Sequence, residues 1–138
     1  MATKLFIDTG ALIALKLRGD PHHQAAVRFL QEAGRRPRVI SSLVLAEAYT
    51  WIRYHYGFPA AVASVEELLE GESLGLYTVV RPERQLEERA VGFIRRYTDV
   101  KLSWTDAVSF AILQESGEWE VFGFDEHFRL IGCILVPG

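Results

Sequence analysis

Leu5-Phe6-Ile7-Asp8-Thr9-Gly10-Ala11-Leu12-Ile13-Ala14-Leu15 opens as an apolar run of strand length, meets one carboxylate, and continues as a longer apolar stretch of helical character. A strand that feeds straight into a helix begins an alternating chain, and the rest of the sequence keeps the alternation. Asp20-Pro21 has the form of an N-cap followed by proline at the first helical position, opening a helix through Ala25, Ala26, Phe29 and Leu30 that stops near Gly34. Val39-Ile40 reads as a second strand, and Ser41-Ser42 caps a long helix from Leu43 to about Tyr56, ended by Gly57. Pro59 starts another helix whose Glu66, Glu67, Glu70 and Glu72 form a solvated face, and Leu74 to Val80 reads as a third strand. Pro82 to Tyr97 carries Leu86, Ala90, Phe93 and Ile94 at helical spacing, and Ser103-Trp104-Thr105-Asp106 opens a helix to Gly117. Val121-Phe122 and Cys133 to Val136 give the fourth and fifth strands, with a helical turn from Phe128 to Ile131 between them. The pattern predicts a three-layer α/β/α sandwich around a mainly parallel sheet of about five strands. It forms one domain over residues 1–138, with ligands beyond the carboxyl ends of the strands.

A chain of 138 residues with 49% hydrophobic content can bury a proper core. Its net charge of -3 and pI of about 5.8 argue against holding nucleic acid through a broad basic surface, so a phosphate ligand must be bound locally. Cys133 is the only cysteine, which rules out an internal disulfide or a cysteine-rich zinc site and suits a small buried hydrophobe. Met1-Ala2-Thr3-Lys4 leads into an apolar run too short for a signal-peptide core or a membrane span. The expectation is a soluble, cytoplasmic protein with no membrane role.

Among 18 acidic residues the informative ones lie in apolar surroundings at predicted element ends. Asp8 ends the first strand, Asp125 follows Val121 to Phe124, and Asp106 sits in the first turn of an apolar helix. Glu47 is the only charge from Leu43 to Ile52, with Leu43, Val44, Thr50 and Trp51 three and four residues away. An isolated ionised carboxylate is expensive to bury, and four that converge repel one another unless a cation joins them. Oxygen-only ligands favour a hard ion such as Mg²⁺ or Mn²⁺. Each acid has a plainer reading: Asp8 and Asp125 as helix N-caps, and Asp106 as the third member of a capping box with Ser103, each worth ~1 kcal/mol. Glu47 has no such role in mid-helix, although a buried pair with an arginine would also accommodate it.

Taken together, these segments resemble the PIN domain family, above all the VapC-type toxins of toxin-antitoxin pairs. Residues 6–15 resemble the family's opening strand and helix, with Asp8 as first acid. Residues 40–49 resemble the second motif and place Glu47, residues 102–111 place Asp106 with Thr105 before it, and residues 122–128 place Asp125. Asp20-Pro21-His22-His23 also resembles this subgroup. One departure is Gly123, where many relatives carry threonine. The resemblance implies hydrolysis of RNA phosphodiesters at a Mg²⁺ or Mn²⁺ centre. Asp8 and Asp106 would be central ligands, Glu47 a ligand or orienter of water, and Asp125 would complete the coordination or, in a two-metal arrangement, hold a second ion. Thr9 and Thr105 would steady the carboxylates. It also implies a homodimer and a small VapB-type antitoxin as partner.

Other residues have mainly structural readings. His22 and His23 are adjacent on a helix start and read as surface residues; His127, two residues after Asp125, reads as packing or capping, with proton transfer as its functional alternative. Trp51 and Tyr54 share the face of Glu47, where packing competes with stacking on unpaired bases. With Leu45, Tyr49, Ile52 and Tyr56 elsewhere around the same helix, a neighbouring subunit is expected to cover part of it. Arg35, Arg36 and Arg38 read as a solvated loop, with phosphate contact the alternative. A phosphoaspartate protein is disfavoured: the dehalogenase-like pattern wants an Asp where Gly10 stands, and a receiver domain wants an acidic pair and a late lysine, whereas the last lysine is Lys101. A PIN-like scaffold that binds without cutting is the remaining rival.

Overall fold

The computed structural model describes residues 4–117 and 120–138; Met1 to Thr3, which enter the reading of the N-terminus, lie outside that description. Along the chain it places β1 (Leu5–Ile7), α1 (Thr9–Lys16), α2 (His23–Ala33), β2 (Arg38–Ser41), α3 (Ser42–Tyr56), α4 (Phe58–Ser73) and β3 (Thr78–Val80). There follow α5 (Arg84–Arg96), α6 (Trp104–Ser116), β4 (Glu120–Phe122), a 3₁₀ helix (Glu126–Ile131) and β5 (Ile134–Val136). All strand pairings are parallel, in the order β3-β2-β1-β4-β5. Successive residues of a strand face opposite sides, and Leu5, Phe6 and Ile7 are all fully buried, so helices cover both faces of β1. The helices pack mainly in two sets, α1 against α2 and α3 and α3 against α4, and α5 against α6 and α6 against the 3₁₀ helix, with α3 also meeting α6.

The strand order fixes where a site can form. From β1 the chain winds outward through β2 to β3, then returns to pair β4 with the other side of β1. The connections therefore diverge between β1 and β4, leaving a crevice at their carboxyl ends. Asp8 leaves β1 there, and its N–H donates to Phe122 O of β4 at 2.9 Å.

An aromatic core lies beneath this crevice. Phe6, Phe110, Phe122 and Phe128 are fully buried. Phe128 meets Phe110 edge-on with centroids 5.4 Å apart, and Phe110 meets Phe93 in the same way at 5.6 Å. Emptying such a position typically costs ~3–5 kcal/mol. Because Phe128 is held this firmly, the residue before it is held too. Cys133 is buried, and burial pushes its thiol up to about 11, as suits the hydrophobic role read from the sequence.

Several element boundaries shift from the sequence expectation, and two of the shifts have a clear local cause. Asp20-Pro21 does not start α2; Asp20 Oδ1 accepts the His22 N–H at 2.8 Å in a turn, and the helix begins at His23. The third strand is only Thr78–Val80, because α4 runs to Ser73 and Gly75 then takes φ 77°, letting Leu76 N–H close onto Gly71 O at 2.8 Å. Among the described residues, no helix is long and apolar enough to cross a membrane.

Candidate metal centre

Asp8 occupies the N-cap position of α1 but makes no capping hydrogen bond, although it is only 4% exposed. Its carboxyl is therefore buried without the role that would explain it most simply. Burial raises its pKa from 3.8 to about 7, the charges of Asp106, Asp125 and Glu47 push the same way, and a hydrogen bond from the Thr9 backbone opposes them.

Asp106 is the third residue of α6 and completes a capping box: Ser103 Oγ accepts its N–H at 3.0 Å, and its Oδ2 accepts the Ser103 N–H at 3.4 Å. The same Oδ2 lies 3.3 Å from His127 Nδ1. Its pKa is raised, first by burial and then by Asp125, while His127 and Ser103 pull it back. Asp125 caps the 3₁₀ helix, its Oδ1 accepting the His127 N–H at 2.9 Å, and that oxygen is also 3.3 Å from His127 Nδ1. Of the three caps read from the sequence, those of Asp106 and Asp125 exist and that of Asp8 does not, and the two capping carboxylates nevertheless come close to each other. Asp106, Asp125 and His127 each offer a ligand atom, all within 4.8 Å of one another.

Glu47 is exposed rather than enclosed by its apolar neighbours. Val44, Ala48 and Ile52 take the buried face of α3, and Glu47 stands one residue off that line. Its charge still acts on Asp8, which places the two carboxylates in one electrostatic neighbourhood. Thr9 Oγ1 is buried and has no hydrogen-bond partner, so it does not bond the Asp8 carboxylate; Thr105 is half-buried, and the hydroxyl holding Asp106 belongs to Ser103.

His127 is the residue whose importance the sequence understates. Its spacing from Asp125 is visible, but its reach to Asp106, 21 residues earlier, depends on the aromatic core that seats Phe128. The other aromatic candidates separate: Trp51 is half-buried with its ring stacked on His55 at 4.1 Å, while Tyr54 is 82% exposed. The arginine loop is remote. Arg35, Arg36, Arg38 and Tyr77 line a hollow of about 430 Å³ at the amino ends of β2 and β3, the opposite end of the strands from Asp8, and Arg36 pairs with Glu120.

The ion pairs formed by lysine and arginine among the described residues engage Glu67, Glu120, Glu72, Glu88, Glu115 and Glu126, none of the four carboxylates. A buried carboxyl with no lysine or arginine partner among the described residues, coupled by charge to Asp106 and Asp125, suits a divalent cation; the carboxylate oxygens favour a hard ion, and the His127 imidazole also accepts a softer one. The sequence pattern of the PIN domain family matches residues 5–132. The chain belongs to the PIN domain family. Within it, this PIN domain is 34% identical over 136 residues to a protein of Mycobacterium tuberculosis named 23S rRNA-specific endonuclease VapC20, spanning 96% of this chain and 97% of the relative. The crystal structure of M. tuberculosis VapC20, described as a sarcin-ricin loop cleaving toxin, matches with a TM-score of 0.84 at 29% identity, covering 94% of this chain and 96% of that one. A toxin-antitoxin complex from Klebsiella pneumoniae matches with a TM-score of 0.61 at 20% identity over 88% of this chain and 86% of that one, a likeness of fold.

Proposed function

We propose that this PIN domain is a metal-dependent endoribonuclease and the toxin of a VapBC-type toxin-antitoxin pair. The observation that carries the reading is that Asp106, Asp125 and His127 offer ligand atoms within 4.8 Å of one another, while the buried Asp8 carboxyl at the end of β1 feels the charges of Asp106, Asp125 and Glu47 and, among the described residues, none of these carboxylates pairs with a lysine or arginine. Asp8, Asp106 and Asp125 would hold Mg²⁺ or Mn²⁺, and exposed Glu47 would ligate the ion or orient the attacking water. Thr9 and Thr105 border the first and third acids. When bound, the metal neutralises charge on the phosphoryl oxygen and makes water a stronger nucleophile at neutral pH. Asp106 is held at one oxygen by Ser103, and Asp125 at one oxygen by the His127 N–H, so both arrive pre-oriented. His127, within 3.3 Å of both, keeps the two aspartates aimed at a common point and is placed to carry a proton.

The name of the M. tuberculosis relative directs the substrate proposal to 23S rRNA, and the description of its crystal structure directs it to the sarcin-ricin loop. Work on ribosomes implies a cytoplasmic protein. The partner is a small VapB-type antitoxin. A homodimer covers exposed aromatics of α3 and α4, where Tyr54 and Phe58 are 82% and 58% exposed. Mapping of RNA 5′ ends after incubating ribosomes with the purified chain tests the reading. One discrete cut in 23S rRNA, present with Mg²⁺ or Mn²⁺ and absent with chelator, is the expected result. A folded, metal-loaded chain that leaves all RNA intact indicates the non-cutting scaffold instead.

A further inference from the structure

His22 and Phe124 form a stacked pair at the rim of the carboxylate crevice, with ring centroids 4.0 Å apart and planes 11° from parallel. Phe124 lies between Gly123, where an added Cβ would stand 3.0 Å from Asp8 Cβ, and Asp125 itself. Its ring is backed by Gly10 of α1, where an added Cβ would stand 3.8 Å from Phe124 Cδ2. His22 is fixed from the other side. Asp20 Oδ1 accepts its N–H at 2.8 Å, and the next residue places His23 Nδ1 2.6 Å from Ala14 O, tying the turn to α1.

One face of the His22 ring is thus occupied by Phe124, the residue next to Asp125, yet His22 is exposed, so its other face is open to solvent. A surface histidine without a role is free to rotate; this one is held flat on an aromatic floor. Flat aromatic or imidazole faces are what unpaired bases stack on, and the interaction tolerates any base because each has a π-face. We propose that His22, seated on Phe124, is a base-stacking platform for one unpaired nucleotide of the RNA next to the phosphate that is cut. It supplies binding at the crevice in an acidic chain whose arginine loop lies at the amino ends of β2 and β3, the opposite end of the strands. The proposal rests on the ribonuclease reading and adds a substrate-binding residue to it. His22 touches a base and takes no part in the bond-breaking step.

The test couples the residue to the base. A short RNA spanning the mapped cut is prepared intact and with each base flanking the cut made abasic in turn. Cleavage is followed with the wild-type chain, His22→Ala and His22→Phe. Loss of one stacked base corresponds to a rise in KM of roughly 10-fold. The expected result is that one abasic position raises KM by this factor in wild type, that His22→Ala raises it equally on intact RNA, and that the two together do no more than either alone. His22→Phe, which keeps a flat ring, retains wild-type KM, and kcat moves little throughout. Penalties that multiply at every position, or a His22→Phe chain as weak as His22→Ala, overturn the platform while the nuclease stands. Loss of antitoxin affinity in His22→Ala with RNA coupling unchanged overturns it as well, assigning the pair to the protein partner. A wild-type chain that cuts no RNA removes both readings.

Discussion

A Cβ built on Gly123 would stand 3.0 Å from Asp8 Cβ and 3.6 Å from Asp8 Oδ2, so a side chain at position 123 would press on the first acid. The departure at position 123 from the threonine of many relatives is therefore a packing relationship as well as a missing hydroxyl. Gly123 has no positive φ, and space rather than backbone conformation limits what can stand there. Replacing it by alanine forces Asp8 to yield by a few tenths of an ångström, and overpacking of this kind costs about 1–3 kcal/mol. Gly123→Ala is expected to lower the urea midpoint of the metal-free chain and to weaken Mn²⁺ binding in calorimetry. Unchanged values in both would mean that Asp8 adapts freely.

The metal-free chain is expected to lose stability as the pH rises. Asp8 titrates at 3.8 when unperturbed and at about 7 when folded, so the folded state holds its proton more tightly. That contribution is complete below pH 3.8 and disappears as the pH passes through 7. Asp106, shifted in the same direction, adds to the slope. In chelator, urea unfolding should show a more stable chain at pH 5 than at pH 8, and Asp8→Asn should remove most of the difference. With saturating Mn²⁺ the trend reverses, because the metal binds the deprotonated carboxylates. An identical slope for wild type and Asp8→Asn in chelator would place the titration elsewhere.

His127 has a distinct expected phenotype. It bridges Asp106 and Asp125 at 3.3 Å each, while its neighbour Phe128 holds the backbone in the core. His127→Ala should keep the unfolding midpoint within ~0.5 kcal/mol, since the side chain is only half-buried, but reduce metal affinity by roughly 10-fold or more, as loss of groups that orient ligands does. Calorimetric titration with Mn²⁺ reads this directly. Wild-type affinity in the variant would show that the imidazole does not organise the two aspartates.

Asp8, Asp106 and Asp125 were legible because strand and helix signals are local, and each acid sits where a local element begins or ends. The same locality explains the sheet: short β-branched and apolar runs, separated by helical patterns, prescribe parallel strands. Glu47 shows the limit of such reading. Its neighbours three and four residues away are apolar, but which face of α3 meets the core is decided by packing against α1 and α4, and Val44, Ala48 and Ile52 win that face. Asp20-Pro21 shows another limit, since a side chain that caps a helix and one that closes the preceding turn use the same residue types. His127 meets Asp106, and His22 meets Phe124, only across long sequence separations. Neither pairing leaves a periodic trace in the sequence.

The central claim is that these carboxylates form a metal centre that cuts RNA. The most direct measurement is the single-turnover cleavage rate of ribosomal RNA, the proposed substrate, against Mn²⁺ concentration for wild type and Asp106→Asn. Asparagine can still accept the Ser103 N–H, so the capping box, and with it the fold, should survive the change. The account predicts saturable metal-dependent cleavage in wild type, and in a folded Asp106→Asn chain a rate lower by a factor on the order of 100 or more. Equal rates in the two proteins, or cleavage that persists in chelator, would contradict it.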